Sequence, residues 1–234
     1  MTGTGTVLVT GSAGGLGGAC ATYLRQQGYS VIGWDCVESP DGSWQRVDLT
    51  SFDEVAAAAA GLPPLAGVVN CAGVSNRLSV AELSAQDFAN VVGINLGGTF
   101  NLAKAVFPAL QAAGGTFVGI GSVAGSAAFT NRAAYCSSKA AVIMLVKCLA
   151  IEWAQHGVRA VCVSPGFVDA GMSVQGQREG GTSSTAILDH TPFGRLVKAE
   201  EFAQTVAFVI SDAASGITGS EILVDAGFDA LSGF

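Results

Sequence analysis

Basic charge is scarce in this chain. Its 234 residues hold 11 Lys and Arg against 18 Asp and Glu, a net charge of −7. Nucleic-acid binding needs a basic face, and the basic residues here are spread thinly, so no nucleic-acid partner is expected. An anionic membrane surface is disfavoured for the same reason. Histidine is rarer still, at 2 residues, and none of the 6 cysteines (Cys20, Cys36, Cys71, Cys136, Cys148 and Cys162) forms a C-x-x-C pair. So few soft ligands give no reason to expect a metal. The cysteines stand singly in apolar segments and read as small buried hydrophobes in a reducing, cytoplasmic compartment. No apolar stretch reaches the roughly 20 residues needed to span a bilayer without a polar break. No basic region precedes an apolar run at the start, so no signal peptide is expected.

Apolar residues are plentiful, at 50% of the chain, with only 12% charged. That composition predicts a large core, and surface left over to bury in an oligomer. Short apolar runs alternate with helical stretches, which predicts a parallel sheet covered by helices on both faces. Strands are predicted at 7–10, 30–35, 46–48, 68–70, 116–120, 158–163 and 221–224. Helices are predicted at 15–27, 52–60, 85–113, 133–156 and 199–212. The helix at 133–156 is apolar on several faces, so a partner is expected to cover part of it. Pro63-Pro64 marks a loop and not a boundary, because strand signals resume at once. The expected organisation is a single domain over 1–234. Its one long irregular stretch, about 167–196, is expected to be a substrate lid.

Thr10-Gly11-Ser12-Ala13-Gly14-Gly15-Leu16-Gly17 follows the first strand and opens the first helix. Glycine lets the backbone turn tightly and approach a ligand closely. The helix N-terminus then offers free N–H groups to a pyrophosphate. A strand before and a helix after make this a dinucleotide turn. The fold class is therefore α/β, a doubly wound Rossmann fold with about seven parallel strands. Asp35 ends the second strand, where a carboxylate accepts hydrogen bonds from the adenosine ribose hydroxyls and repels a 2′-phosphate. No Arg or Lys occurs between Arg25 and Arg46, so such a phosphate would lack a counter-charge. The expected cofactor is NAD.

Tyr135-Cys136-Ser137-Ser138-Lys139 opens a helix. A spacing of four stacks Tyr135 and Lys139 on one face. An ammonium so placed stabilises a phenolate, and the phenol can then take or give a proton at an alcohol oxygen. With these motifs in place the chain resembles the short-chain dehydrogenase/reductase family over essentially its whole length. The glycine pattern is met by Thr10, Gly11, Gly15 and Gly17. Asp48-Leu49 matches the acidic position after the third strand. Asn70-Cys71-Ala72-Gly73 matches the N-N-A-G motif, with cysteine for the second asparagine. Asn95, Ser122, Pro165-Gly166 and the segment 217–227 also fit in order and spacing.

The resemblance implies that Tyr135 moves the proton and Ser122 hydrogen-bonds the substrate oxygen. Lys139 would hold the nicotinamide ribose and support Tyr135, and Asn95 would anchor a proton relay. It also implies cofactor contacts at Gly11, Ser12, Gly15, Leu16, Gly17, Asp35, Asp48, Leu49, Asn70, Ala72, Gly73, Pro165, Gly166 and Val168, besides Tyr135 and Lys139. Ala170 stands where the family often has a threonine that helps hold the nicotinamide end. Ser173 or the backbone at Val168 would have to stand in.

The pocket is expected from the loops 74–79, 123–132 and 167–196, which offer small or apolar side chains such as Val123, Phe129 and Phe167. A small, mostly apolar or cyclic secondary alcohol or ketone is expected. Arg132 lies three residues before Tyr135. Facing the pocket, it would pair with a carboxylate or sulfonate, with Arg178 and Arg195 helping from the lid. Otherwise it is a surface or interface residue. His190 reads as a polar lid residue, and the apolar tail 227–234 as a contact for a neighbouring subunit. Two other readings stand beside the alcohol dehydrogenase. One is a reductase of 3-oxoacyl thioesters, disfavoured because carrier proteins are acidic like this chain. The other is a non-catalytic NAD-binding regulator. The resemblance further implies a homotetramer.

Overall fold

In the computed structural model the chain is described over residues 3–171 and 184–231. Seven parallel strands form one sheet in the order β3-β2-β1-β4-β5-β6-β7. In chain order they are β1 (Thr6–Thr10), β2 (Ser30–Asp35), β3 (Gln45–Arg46), β4 (Leu65–Asn70), β5 (Thr116–Ile120), β6 (Arg159–Pro165) and β7 (Glu221–Val224). The helices are α1 (Gly15–Gln26), α2 (Phe52–Ala59), α3 (Ala85–Val92), α4 (Gly98–Ala113), α5 (Ala133–Trp153), α6 (Ser184–Asp189) and α7 (Ala199–Ile210). The doubly wound fold expected from the alternation is the one observed.

Side chains alternate across each strand, and this splits the core in two. Leu8, Val68 and Phe117 face α2, α4 and α5, where Val55, Leu102, Val106 and Val146 meet them. Val7, Val9, Val69 and Val118 face the other way, against Leu24 of α1 and Phe202 and Val206 of α7. Helix starts are capped locally. The Ser51 hydroxyl accepts from the Glu54 N–H at 3.4 Å, and the Ser84 hydroxyl accepts from the Asp87 N–H at 3.0 Å. Segment 133–156 is the one described helix long and apolar enough, by length and composition, to cross a membrane, with mean hydropathy 1.6. Its Val142, Val146 and Leu149 pack into the core.

The structure corrects several expectations. The single helix expected at 85–113 is interrupted by a wide π turn at Gly93–Gly97. Such turns place an extra residue in the helix and often mark functional positions. The expected loop 167–196 contains α6, whose Ile187 is 2% exposed. Both ends of that loop are tied together, because Val168 and Val197 form a parallel bridge. The cysteines are not uniformly buried. Cys20 and Cys162 are, whereas Cys36 and Cys148 are exposed. An apolar helix such as α5 hides in its sequence which faces reach solvent.

Candidate active site

The chain runs outward from β1 through β2 to β3, then returns to lay β4 against the other side of β1. At such a switch point the connections leave in opposite directions, and a crevice opens beyond the carboxyl ends of the strands. Thr10 and Asn70 stand side by side as the last residues of β1 and β4. The chain then turns sharply at Gly11, whose φ is +67°. A Cβ there would lie 2.9 Å from the Ala72 nitrogen. At Gly17 a Cβ would run into the Gly11 carbonyl oxygen, so only glycine lets α1 seat against the turn. The residue capping α1, Gly14, has no side chain to bond the first-turn N–H groups, which leaves them to a ligand.

This crevice has a volume of about 720 Å³. Gly11, Gly15, Leu16, Gly17, Asp35, Asp48, Leu49, Ala72, Gly73, Pro165, Gly166, Val168 and Tyr135 all line it. Ser12, Asn70 and Lys139 do not. The Ser12 hydroxyl turns back to the Val9 carbonyl at 2.7 Å. Asn70 is 3% exposed. Its Oδ1 accepts from Thr10 Oγ1 at 2.6 Å and its Nδ2 donates to Thr99 Oγ1 at 2.8 Å. Asn70 therefore braces the crevice from behind. Asp35 accepts from the Ala13 N–H at 2.9 Å, tying the glycine turn to the end of β2. The Asp48 carboxyl accepts from the Thr50 N–H at 2.9 Å and its hydroxyl at 2.8 Å. These bonds hold it below the usual carboxylate range. The open helix terminus, the glycine cradle and the strand-end acid together fit a dinucleotide.

Four polar side chains from three parts of the fold gather at the inner end of the crevice: Tyr135 and Lys139 of α5, Ser122 and Asn95. Lys139 of α5 is 5% exposed. Its Nζ donates to the Ile120 carbonyl at 2.8 Å and lies 5.8 Å from the centroid of the Tyr135 ring. Ser122, just past β5, is 7% exposed, and its Oγ accepts from the Ala124 N–H at 3.1 Å. Asn95 sits in the π turn. Its Oδ1 accepts from the Val74 N–H at 2.8 Å, and its Nδ2 donates to the Val74 carbonyl and to Ser138 Oγ, both at 2.9 Å. A Cβ on Gly73 would fall 3.1 Å from Asn95 Oδ1 and 3.7 Å from Lys139 Nζ, so this glycine keeps the space between the two side chains open. The structure thus brings together all four residues expected to be catalytic.

A second cavity of about 280 Å³ opens beside the first. Ser122, Tyr135 and Gly166 belong to the walls of both. Phe129 and Phe167 line it. Phe228 of the C-terminal segment stacks on Phe129, with ring centroids 6.0 Å apart, and meets Phe167 edge-on at 5.2 Å.

The family profile described as enoyl-(acyl carrier protein) reductase matches residues 11–229. A cis-4-hydroxycyclohexanecarboxylate dehydrogenase of Sinomonas cyclohexanicum is 33% identical, over 96% of this chain and 96% of its own. A short-chain type dehydrogenase/reductase of Sinorhizobium fredii is 32% identical over 95% of this chain, which spans 43% of that protein's length. The solved structure of the aldohexose dehydrogenase of Thermoplasma acidophilum superposes with a TM-score of 0.91 at 27% identity, covering 99% of this chain and 96% of that one. The chain belongs to the short-chain dehydrogenase/reductase family. It is an oxidoreductase of CH–OH groups that works with a nicotinamide cofactor.

Within this family framework some expectations shift. Arg195 does not reach the substrate cavity. It pairs in bidentate fashion with Glu201, at 2.7 and 2.8 Å, and holds the Glu201 carboxyl down at about 2. His190 packs edge-on against Phe228, with centroids 4.7 Å apart. Of the expected tail 227–234, Phe228 packs on Phe129, Phe167 and His190 of its own chain, and 232–234 lie outside the described residues. Arg178 and Ser173 lie outside the described residues. Two residues of the short-chain dehydrogenase cavity were not singled out, although they lie in the expected pocket loop 74–79. Ser75 and Arg77 line it from the loop after β4, and Arg132 Nη1 donates to Ser75 Oγ at 2.7 Å. The signal was a cation in a loop at the strand ends, where this fold builds its pockets.

Proposed function

We propose that this enzyme is an NAD-dependent dehydrogenase of a small, mostly apolar or cyclic secondary alcohol, and reduces the corresponding ketone in reverse. The observation that carries this reading is the shared wall. Ser122, Tyr135 and Gly166 face the dinucleotide crevice and the smaller cavity at once, so a carbinol in one can meet a nicotinamide in the other. The glycine turn, Asp35 and Lys139 would hold the cofactor. When bound, it supplies the acceptor for the hydride. The Tyr135 oxygen takes the proton of the alcohol. Ser122 Oγ hydrogen-bonds the same substrate oxygen and steadies its developing charge. Buried Lys139 supports the Tyr135 oxygen electrostatically, and Asn95 fixes the Val74 loop and Ser138 beside it. A panel of secondary alcohols with NAD, followed by absorbance of the reduced cofactor, tests this. No turnover of any member by NAD-saturated protein would reject it.

The choice of NAD rests on Asp35 at the crevice wall. Arg46 is the first cation after Asp35 in sequence, but its guanidinium is engaged by Glu54 at 3.4 Å and Glu38 at 3.9 Å, and it does not line the crevice. An Asp35→Ser variant is expected to reduce the ratio of kcat/KM with NAD to that with NADP at least about tenfold, roughly 1.4 kcal/mol of discrimination. Wild-type protein that favours NADP would sink the assignment.

The segment 167–196 is proposed as the substrate lid of a single catalytic domain over 1–234. The free cysteines fit a reducing cytoplasm. A homotetramer is proposed because α4 and α5 present large apolar side chains to solvent: Phe100 at 50%, Met144 at 58% and Ile151 at 81% exposed. Large apolar side chains left exposed on these two long helices fit a subunit interface. Ile151→Glu is expected to shift sedimentation velocity from tetramer toward smaller species, and a wild-type monomer would refute it. The 3-oxoacyl thioester reading shares with the description of the family profile an acyl-carrier-protein substrate, though not the bond reduced. It ranks second, because a chain of charge −7 repels an acidic carrier protein.

A further inference from the structure

The smaller cavity contains more positive charge than an apolar alcohol needs. Arg77 and Arg132 both line it, with Ser75, Ser122 and Tyr135. The Arg132 guanidinium carbon lies 5.7 Å from the centroid of the Tyr135 ring, and one of its nitrogens is fixed by Ser75. Both arginines are only half exposed. The described ion pairs use Arg46 and Arg195. Among the described residues, no carboxylate lies within ion-pair distance of Arg77 or Arg132. Burial and the neighbouring Arg77 charge pull the Arg132 guanidinium below its ordinary value, as expected of two like charges crowded together without an anion.

Half-buried like charges facing one small space are unfavourable unless a ligand supplies the opposite charge. That ligand is not the pyrophosphate of the cofactor, because neither arginine lines the dinucleotide crevice. Nor are these cations placed to read the reacting oxygen, which Ser122 and Tyr135 already bracket.

We propose that the substrate carries a carboxylate, bound by Arg132 and Arg77, while its carbinol carbon faces Tyr135 and Ser122. This rests on the dehydrogenase reading above and narrows its substrate class to hydroxy acids and their oxo acids. A guanidinium presents parallel N–H donors that match a planar carboxylate. Ser75 pre-orients Arg132 at 2.7 Å, which reduces the ordering cost of binding. The aromatic wall of Phe129 and Phe167, backed by Phe228, suits an apolar body between the two polar ends.

The test compares 4-hydroxycyclohexanecarboxylate with its uncharged methyl ester, using NAD and full-length enzyme. The acid is expected to exceed the ester at least tenfold in kcat/KM. Arg132→Gln and Arg77→Gln should each collapse that ratio, chiefly by raising KM for the acid, and Arg132→Lys should restore part of it. A wild-type ratio near one, or a ratio unchanged in both Gln variants, overturns the proposal while leaving the dehydrogenase reading intact. Should neither compound turn over, that reading fails for this ring, and calorimetry with cyclohexanecarboxylate on NADH-saturated protein decides the anion site separately. Binding by wild type that is lost in correctly folded Arg132→Gln supports it, and no binding by wild type overturns it.

Discussion

Tyr135→Phe is expected to lower kcat/KM on any active alcohol by about a thousandfold, roughly 4 kcal/mol of transition-state stabilisation. General acid–base groups contribute roughly 10²–10⁴-fold, and the phenol oxygen has no evident substitute. His190 is engaged with Phe228. Lys139 Nζ donates to the Ile120 carbonyl. Ser122 Oγ is the remaining polar group on the shared wall, and a serine hydroxyl is a poor base without a partner to take its proton. The phenyl ring keeps the shape of the wall, so loss of folding is not the cause to expect. Steady-state rates with saturating NAD check it. A variant retaining even a tenth of wild-type activity would remove Tyr135 from the proton-transfer role.

Asn70→Leu is expected to destabilise the fold by about 2–4 kcal/mol, lowering the melting temperature by roughly 10 °C. The residue joins Thr10 of β1 to Thr99 of α4 through buried hydrogen bonds. Thr99 Oγ1 in turn donates to the Asn95 carbonyl at 2.5 Å. Leucine removes an acceptor and a donor at once and leaves two threonine hydroxyls short of partners in a dry interior, where each unmade bond costs about 1–3 kcal/mol. The same chain ends on the π turn that carries Asn95, so kcat should fall as well. Thermal unfolding and steady-state kinetics measure both. Wild-type stability in the variant would show that the bracing role assigned to Asn70 is wrong.

The parts of the molecule legible in sequence were those set by near neighbours. Gly11, Gly15 and Gly17 declare a turn because their spacing is local, and Tyr135 and Lys139 share a face because helices repeat. The alternation that predicts the parallel sheet is likewise a succession of short local patterns. What stayed hidden depended on distant chain. Ser75 and Arg132 are 57 residues apart, and only the docking of the loop after β4 beneath the start of α5 makes them partners. Nothing near Phe228 in sequence announces its contacts with Phe129, Phe167 and His190. At the π turn Asn95 accepts from the Val74 N–H, and Thr99 just beyond it accepts from Asn70, tertiary contacts invisible to helical periodicity. Ser12 and Asn70 occupy family motif positions. Their side chains face the Val9 carbonyl and a buried threonine pair, which spacing along the chain does not reveal.

The two cavities have only Ser122, Tyr135 and Gly166 in common. Asp35 touches one of them alone, and Arg77, Arg132 and the aromatic wall touch the other alone. A substitution at Asp35 therefore alters one chamber without touching the wall of the other, and a substitution at Arg77 or Arg132 does the reverse. Only a change at the three-residue seam is felt in both.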